Sequence, residues 1–289
     1  MANAHGLLRV VSTPIGNLAD LSPRAREALE SADVIAAEDT RRTLTLLKAA
    51  GITRPLLSLH DHNESQRVPE LLARLASGAT VALVSDAGTP LLSDPGFELV
   101  RAATRAGVRV EPVPGPSAIT AALAAAGLPV ERFCFEGFLP ARATERRGAL
   151  AALARETRTL VFFEAPHRIV QTLKDLAAEF GGERPAVVAR ELTKVHETFY
   201  RGTLAELAAR AQDEAHFERG EVTLVVAGAP APEPGETDPA ELRRVLQILG
   251  RELPPGRAAA LAAALTGATR AAAYALASAT PRGSTDETG

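Results

Sequence analysis

Charged side chains recur where short apolar runs end. Glu38-Asp39 follows Val34-Ile35-Ala36-Ala37, Glu164 closes Thr159-Leu160-Val161-Phe162-Phe163 with His167-Arg168 just beyond, and Arg190-Glu191 ends a run that begins at Ala186. A carboxylate at a strand end can accept a proton from a hydroxyl. An arginine or lysine beside it, such as Arg41, Arg190 or Lys194, can hold a phosphate. A surface ion pair is the plain alternative at each position taken singly. The run His60-Asp61-His62-Asn63-Glu64 adds further titratable groups. His60 and His62 could share one face of an extended segment and bind a metal, but no partner ligands are evident elsewhere, and no metal is assigned. The run then reads as a solvated loop, or as a substrate-facing loop with a proton acceptor at His60 or Glu64.

Three loops rich in glycine, proline and small polar residues follow apolar runs directly: residues 13–17, 85–96 and 114–117. Glycine lets backbone approach a ligand, and proline stiffens the loop that presents it. The sequence holds neither G-x-G-x-x-G nor G-x-x-x-x-G-K-[ST], and lysine is nearly absent from these loops. A ligand held by backbone amides without a phosphate suits them better. The densest basic stretch, Arg142, Arg146 and Arg147 with Arg155 and Arg158 behind, reads as a loop that contacts a phosphate backbone, or as a solvated helix start.

These groups need a scaffold of alternating elements. Strands are predicted at residues 7–11, 34–37, 56–60, 80–84, 108–113, 132–136, 159–163, 186–190 and 222–227. Ser22-Pro23 opens a helix with a capping serine and proline at the first helical position. Further helices are expected around Leu71 to Leu75, over about 95–106, after a capping Ser117 and over about 167–180, with a capping box at Thr203 and Glu206. Alternation in two halves means α/β architecture, in which ligands sit at the carboxyl ends of strands. We place an N-terminal α/β domain at 1–113 and a second α/β domain at 114–228. A Pro/Ala/Glu-rich linker follows at 229–238, then a small helical, helix-turn-helix-like domain at 239–280 and a disordered tail at 281–289.

Composition removes several classes. The chain has 289 residues, with 32 Lys+Arg against 35 Asp+Glu and a formal net charge of −3, which excludes a histone-like basic binder but not a local basic patch. Its 46% hydrophobic content is that of a globular protein. A single cysteine, Cys134 in an apolar run, excludes a disulfide framework and reads as a small buried hydrophobe. No run approaches the ~20 apolar residues of a membrane span and residues 1–6 do not resemble a signal peptide, so a cytoplasmic protein is expected.

Four segments together resemble the signatures of the tetrapyrrole-methylase superfamily: Val11-Ser12-Thr13-Pro14-Ile15-Gly16-Asn17-Leu18, Ala37-Glu38-Asp39-Thr40-Arg41, Ser85-Asp86-Ala87-Gly88-Thr89-Pro90 and Val113-Pro114-Gly115-Pro116-Ser117-Ala118. Within it the chain is most similar to the ribosomal RNA small subunit methyltransferase I branch. That likeness is carried by Phe135-Glu136-Gly137-Phe138-Leu139-Pro140, Phe162-Phe163-Glu164-Ala165-Pro166-His167-Arg168, Arg190-Glu191-Leu192-Thr193-Lys194 through Glu197, and Gly202-Thr203-Leu204. The resemblance covers nearly the whole chain. The tail departs from the branch in being Ala-rich, with arginines where lysines are common.

The resemblance implies a two-domain class III methyltransferase fold with a small helical tail, a homodimer, and S-adenosylmethionine bound between the domains. It implies 2′-O-methylation of a cytidine ribose in the decoding centre of 16S rRNA, within the 30S subunit. Cofactor contacts would map onto Pro14, Gly16, Asp86, Ala87, Gly88, Pro90, Leu91, Ser117, Ala118, Phe163, Glu164 and Thr223. For the proton acceptor, strand-end placement ranks Glu38 and Asp39 first, then His60, Glu64 and Glu191. Arg41, Arg190 and Lys194, with Arg142, Arg146 and Arg147, are the RNA-binding candidates. Two rivals stand beside this reading: a tetrapyrrole carbon methylase of the same superfamily, and a non-catalytic ribosome-assembly factor.

Overall fold

The structure, a computed structural model, describes residues 6–230 and 239–279. Contacts divide the chain into two compact units, Met1–Ala229 and Pro230–Gly289. The first unit opens with β1 (Leu7–Val11), α1 (Pro23–Glu30), β2 (Val34–Ala37), α2 (Thr40–Ala50), β3 (Leu56–Ser58), α3 (Glu64–Ala76), β4 (Thr80–Val84), α4 (Phe97–Arg105) and β5 (Arg109–Val113). Its five strands pair in parallel in the order β3-β2-β4-β1-β5. Parallel pairing sends every carboxyl end to one edge of the sheet.

Both faces of this sheet are covered at its inner strands, which is why β2 and most of β4 read as unbroken apolar runs, while β1 carries Arg9 and the edge strand β5 carries Arg109 and Glu111. Ile35, Ala37, Ala82 and Val84 pack with Ala25, Leu29 and Leu47 of α1 and α2. Their sequence neighbours Val34, Ala36, Val81 and Leu83 pack with Leu71, Leu75, Leu99 and Ala103 of α3 and α4. The period-2 alternation thus feeds two cores. Ser22 caps α1 as expected, its Oγ accepting the Ala25 N–H at 3.1 Å, with Pro23 in the first turn.

The unit continues with α5 (Ala118–Ala126), β6 (Phe133–Phe138), α6 (Ala143–Leu153), β7 (Thr159–Glu164), α7 (Ile169–Phe180), β8 (Pro185–Arg190), β9 (Thr198–Thr203), α8 (Leu204–Asp213) and β10 (Val222–Val226). The second sheet is mixed, in the order β6-β7-β10-β8-β9, with only β6 and β7 parallel. Leu160, Phe162, Val188 and Leu224 face the core built with α6, α7 and α8. Fully burying a side chain such as Phe162 contributes about 1.5–3 kcal/mol. Val161, Val187 and Val225 face the other way, onto Ile119, Ala122 and Leu123 of α5.

Several expectations shift. The third strand stops at Ser58, short of His60. Ser117 precedes α5, but its side chain makes no capping hydrogen bond. Arg146 and Arg147 lie within α6 and not in a loop. Strand β9 was not foreseen, because Thr-Phe-Tyr-Arg-Gly-Thr carries few apolar residues; it sits at the sheet edge, where one neighbour suffices. The capping box at Thr203 and Glu206 forms as read.

The second unit holds α9 (Pro239–Leu249), α10 (Pro255–Thr266) and α11 (Arg270–Ala279) around a small core of Leu242, Leu246, Ala259, Ala262 and Ala273. Gly267, left-handed at φ 76°, ends α10 where the sequence marks the break. Most of the linker placed at 229–238 and all of the tail at 281–289 lie outside the described residues. Among the described residues, no helix is long and apolar enough to cross a membrane.

Candidate active site

The loops that leave β1, β4 and β5 are laced together. Thr13 and Gly88 exchange backbone hydrogen bonds, Thr13 N–H to Gly88 O at 2.9 Å and Gly88 N–H to Thr13 O at 3.0 Å. The Ser12 and Thr89 hydroxyls lie 3.0 Å apart, and Thr89 Oγ1 donates to Pro116 O at 3.2 Å. A Cβ on Gly115 would sit 3.0 Å from that of Ser12, so glycine is what lets the β1 and β5 loops close up.

The ends of β2 and β4 are tied by their acidic residues. Glu38 Oε2 accepts the Asp86 N–H at 3.2 Å, and Asp86 Oδ1 accepts the Asp39 N–H at 3.0 Å. Arg42 reaches Asp86 at 3.4 Å.

Above these loops lies a cleft of about 450 Å³, within the range of small-molecule sites. One wall comes from the first sheet's loops, with Glu38, Asp86, Ala87, Gly88 and Asp94. The other comes from the second sheet and α5, with Ser117, Ala118, Phe138, Phe163, Glu164, Glu221 and Thr223. Its floor is apolar, from Ile15, Ile119, Leu192 and Val222.

Carboxylates dominate the polar lining, and Arg42 is the one cation there among the described residues. Burial pushes the Glu38 carboxyl above its ordinary range; the neighbouring charges of Asp86 and Asp61 add to that, while the Asp86 N–H opposes it. Burial likewise pushes Asp94 up to about 6, reinforced by Glu38, Asp86 and Asp61 and opposed by a hydrogen bond with Ser85. Such a lining favours a cationic ligand, whose charge would relieve the crowding of negative groups.

The cleft gathers Asp86, Ala87, Gly88, Ser117, Ala118, Phe163, Glu164 and Thr223 of the expected cofactor set. Pro14, Gly16, Pro90 and Leu91 are not among the residues that line it. Gly16 packs on the loop after β8: a Cβ there would come within 2.4 Å of Lys194 Cγ and 3.0 Å of Leu192 O. Glu164 borders the cleft but is buried, its carboxylate accepting the Thr172 hydroxyl at 2.6 Å and pairing with Arg168 at 3.2 Å.

The proton-acceptor candidates separate. Glu38 lines the cleft. Asp39 does not; it caps α2 and pairs with Arg41 at 2.7 Å, and that guanidinium holds its carboxyl far below the usual range. His60 Nε2 lies 3.1 Å from the Asn63 side-chain nitrogen, and Asn63 Oδ1 accepts the His60 N–H. With the amide donating, the imidazole's acceptor nitrogen is occupied. Glu64 opens α3 and accepts the Glu98 N–H at 3.0 Å. Glu191 pairs with Lys194 at 2.8 Å and accepts the Glu221 N–H.

The basic candidates separate as well. Arg146 is a correction: it is only 4% exposed and donates through Nε to Asp175 at 2.8 Å, with further bonds to the backbone of residues 140 and 141. A guanidinium buried on a buried carboxylate holds α6 to α7 and does not meet RNA. Arg147 shares Asp175 at 3.0 Å but keeps its flank exposed. Arg142 is 84% exposed and pairs with Glu145 at 3.2 Å. Arg41 is exposed, Arg190 donates to Arg219 O at 2.9 Å, and Lys194 bridges Glu191 and Glu221.

Sequence reading missed Asp94, Arg42, Leu92, Phe138 and Glu221 in the lining. Ser93-Asp94-Pro95-Gly96 has the composition of a plain turn. The signal available only in three dimensions is backbone strain. Among the described residues, the non-glycine residues at positive φ are Leu91, Ser93, Glu191 and Thr193, in two loops, and the cleft-lining residues Leu92, Asp94 and Leu192 lie among them. The lone cysteine, Cys134, is partly buried, and burial pushes its thiol up, away from the thiolate form. Among the described residues no group of three or more His, Cys, Asp and Glu could hold a metal ion.

Two five-stranded α/β halves with a cleft lined from both make up a fold shared with solved tetrapyrrole methylases. The solved uroporphyrin III C-methyltransferase of Thermus thermophilus superposes on it with a TM-score of 0.55, covering 77% of this chain and 97% of that one at 22% identity. Residues 8–208 match the family of tetrapyrrole (corrin/porphyrin) methylases, and residues 236–280 match the RsmI C-terminal HTH domain. Curated relatives named ribosomal RNA small subunit methyltransferase I are similar over nearly full length. The Xylella fastidiosa (strain Temecula1) protein is 55% identical over 93% of this chain and 98% of its own. The Escherichia coli O157:H7 protein is 51% identical over 94% of each. The chain therefore belongs to the tetrapyrrole methylase family, in its ribosomal RNA small subunit methyltransferase I branch.

Proposed function

We propose that the protein is an S-adenosylmethionine-dependent methyltransferase that 2′-O-methylates a cytidine ribose in the decoding centre of 16S rRNA. The observation that carries this reading is the conjunction of an acidic cleft with relatives of that name at more than half identity over both chains. When bound, S-adenosylmethionine would supply an electrophilic methyl carried on a sulfonium, and the chain's part is to hold an acceptor oxygen against it. The residues present fit it: the carboxylates of Asp86 and Asp94 suit its sulfonium and ammonium charges, and Ile15, Ile119, Phe163 and Leu192 suit an adenine ring. The backbone of Ala87, Gly88 and Ala118 borders the same space.

A ribose hydroxyl is a weak nucleophile at neutral pH, so a carboxylate should take its proton. Glu38 is the candidate whose position supports this role. It lines the cleft, its carboxyl is raised toward working pH, and Asp86 N–H fixes one oxygen while leaving the other available. Arg42, Arg41, Arg142, Arg147, Arg190 and Lys194 are the cations left to draw a phosphate backbone.

We read residues 1–113 and 114–228 as the two domains that share the cofactor. The working form is proposed to be a cytoplasmic homodimer that acts on the 30S subunit. A tetrapyrrole acceptor is less favoured, since residues 236–280 match a module of the rRNA methyltransferase branch. A silent assembly factor is less favoured because it has no need of an acidic cofactor cleft. Purified protein, labelled S-adenosylmethionine and 30S subunits from a strain lacking this activity test the reading. A 2′-O-methylcytidine mapped to the decoding region by mass spectrometry supports it. Intact cofactor binding without methyl incorporation into RNA overturns it.

A further inference from the structure

Strand β6 carries an irregularity that changes which way its last side chain faces. Along its pairing with β7, Phe135 lies opposite Val161, but Gly137 lies opposite Phe162 and Phe138 opposite Phe163, with Glu136 as the extra residue. Side chains in register share a face of the sheet. Without the bulge, Phe138 would fall opposite Glu164 and turn to the face of Phe162, into the core with α6 and α7. One inserted residue flips it to the face of Phe135 and Phe163. The result is an aromatic row: Phe135 and Phe163 have centroids 4.8 Å apart, Phe163 and Phe138 5.6 Å apart.

The row grades from covered to open. Phe135 and Phe163 are part-buried against α5, whereas Phe138 is 56% exposed, at the rim of the cleft. Leu92, on the strained loop of the first sheet, is a second exposed apolar residue in the same lining. That loop meets the end of β6 here: a Cβ on Gly137, which has φ 66°, would lie 3.1 Å from Ser93 Oγ. Arg42, an exposed cation, lines the same cleft. A bulge that moves a phenylalanine out of a core position into water loses burial, so the ring's place calls for a partner.

Resting on the reading of an RNA acceptor, we propose that Phe138 is a substrate-positioning residue on which the base of the acceptor nucleotide stacks. Leu92 is its apolar neighbour, so that the attached ribose reaches the cleft. A nucleobase has the matching chemistry, with two apolar faces and an uncharged polar edge, and stacking on an aromatic ring is how single-stranded RNA bases are gripped. The adenine of the cofactor belongs deeper, beside the covered Phe163.

The test uses the full chain and three variants, Phe138→Ala, Phe138→Leu and Phe138→Trp, each checked for folding by circular dichroism. Loss of one stacked base should raise the KM for 30S subunits by about 5- to 100-fold in the alanine and leucine variants, with cofactor affinity by calorimetry unchanged. The tryptophan variant should keep wild-type KM. The chain has no tryptophan of its own, so its fluorescence should be quenched by a cytidine-containing oligoribonucleotide and not by S-adenosylmethionine. An unchanged KM in Phe138→Ala overturns the proposal. So does weakened cofactor binding with KM intact, which would make Phe138 an adenine contact. Failure of the wild-type enzyme to methylate RNA overturns the functional reading and this proposal with it; a wild-type enzyme that methylates RNA beside a Phe138→Ala variant of unchanged KM overturns only the proposal.

Discussion

The carboxylate of Glu38 accepts the backbone N–H of Asp86 at 3.2 Å, while the carboxylate of Asp86 accepts the N–H of Asp39 at 3.0 Å. The ends of two neighbouring strands are thus tied by carboxylates that accept backbone N–H groups, with Arg42 beside Asp86 at 3.4 Å. The arrangement tolerates their mutual repulsion because each bond is charge-assisted. It keeps Glu38 ionisable and aimed within the cleft, and it separates Glu38 from Asp39, which the sequence alone leaves equivalent.

Substituting the two neighbours should therefore have opposite signatures. Glu38→Gln should lower kcat by roughly 10²- to 10⁴-fold with folding and cofactor affinity kept. Asp39→Ala should retain turnover but lose the cap of α2 and melt at a lower temperature. Steady-state kinetics beside thermal unfolding separates these outcomes. Full turnover in Glu38→Gln would remove it as the proton acceptor.

Asp94 predicts a pH dependence. Its carboxyl titrates at about 6 in the fold against 3.8 as the ordinary value. A raised acid favours the folded state in its protonated form, so ionising it costs stability as pH rises through that window. Asp94→Asn should accordingly raise the melting temperature above pH 6 and change it little below pH 4. The gain should be about 1–2 kcal/mol after allowance for partial exposure. Binding of a cationic cofactor requires the ionised form, so wild-type affinity for S-adenosylmethionine should rise with pH through about 6 and release a proton. Calorimetry in buffers of different ionisation enthalpy measures that proton.

The arginines of α6 should divide by burial. Arg146→Ala leaves the buried Asp175 carboxylate without its closest partner and should cost about 3–5 kcal/mol. Arg142→Ala should leave stability unchanged and lower affinity for 30S subunits, with a salt slope shallower by about one. Filter binding at several salt concentrations reads the second effect, and denaturant unfolding reads the first.

Gly16 tests the contact between the first loop and the loop after β8. Gly16→Ala would drive a methyl onto Lys194 Cγ and Leu192 O. The expected outcome is a protein that folds with reduced cofactor affinity, because Ile15 and Leu192, which flank the collision, both line the cleft. Unaltered affinity in calorimetry would show that the loop can shift freely.

The sequence by itself determined the parallel half of the fold. Strands covered on both faces must be apolar nearly throughout, so residues 34–37 and 81–84 stand out without any partner in view, and residues 7–11 do so despite Arg9. Ser22-Pro23, Gly267 and the Thr203 box mark element ends through local backbone chemistry, and they form as read. The glycine-rich loops were equally legible, because a close backbone approach excludes side chains wherever it occurs. Tertiary structure alone decided which charges are used. Arg142 and Arg146 look alike in sequence, yet one faces water and the other a buried aspartate twenty-nine residues on. Asp94 hides in a turn until a strained loop and a neighbouring sheet desolvate it. Phe138 would be counted as core until one extra residue in β6 turns it outward. Burial and charge environment are sums over contacts distant in the chain, and a side chain's spacing along its own strand does not contain them.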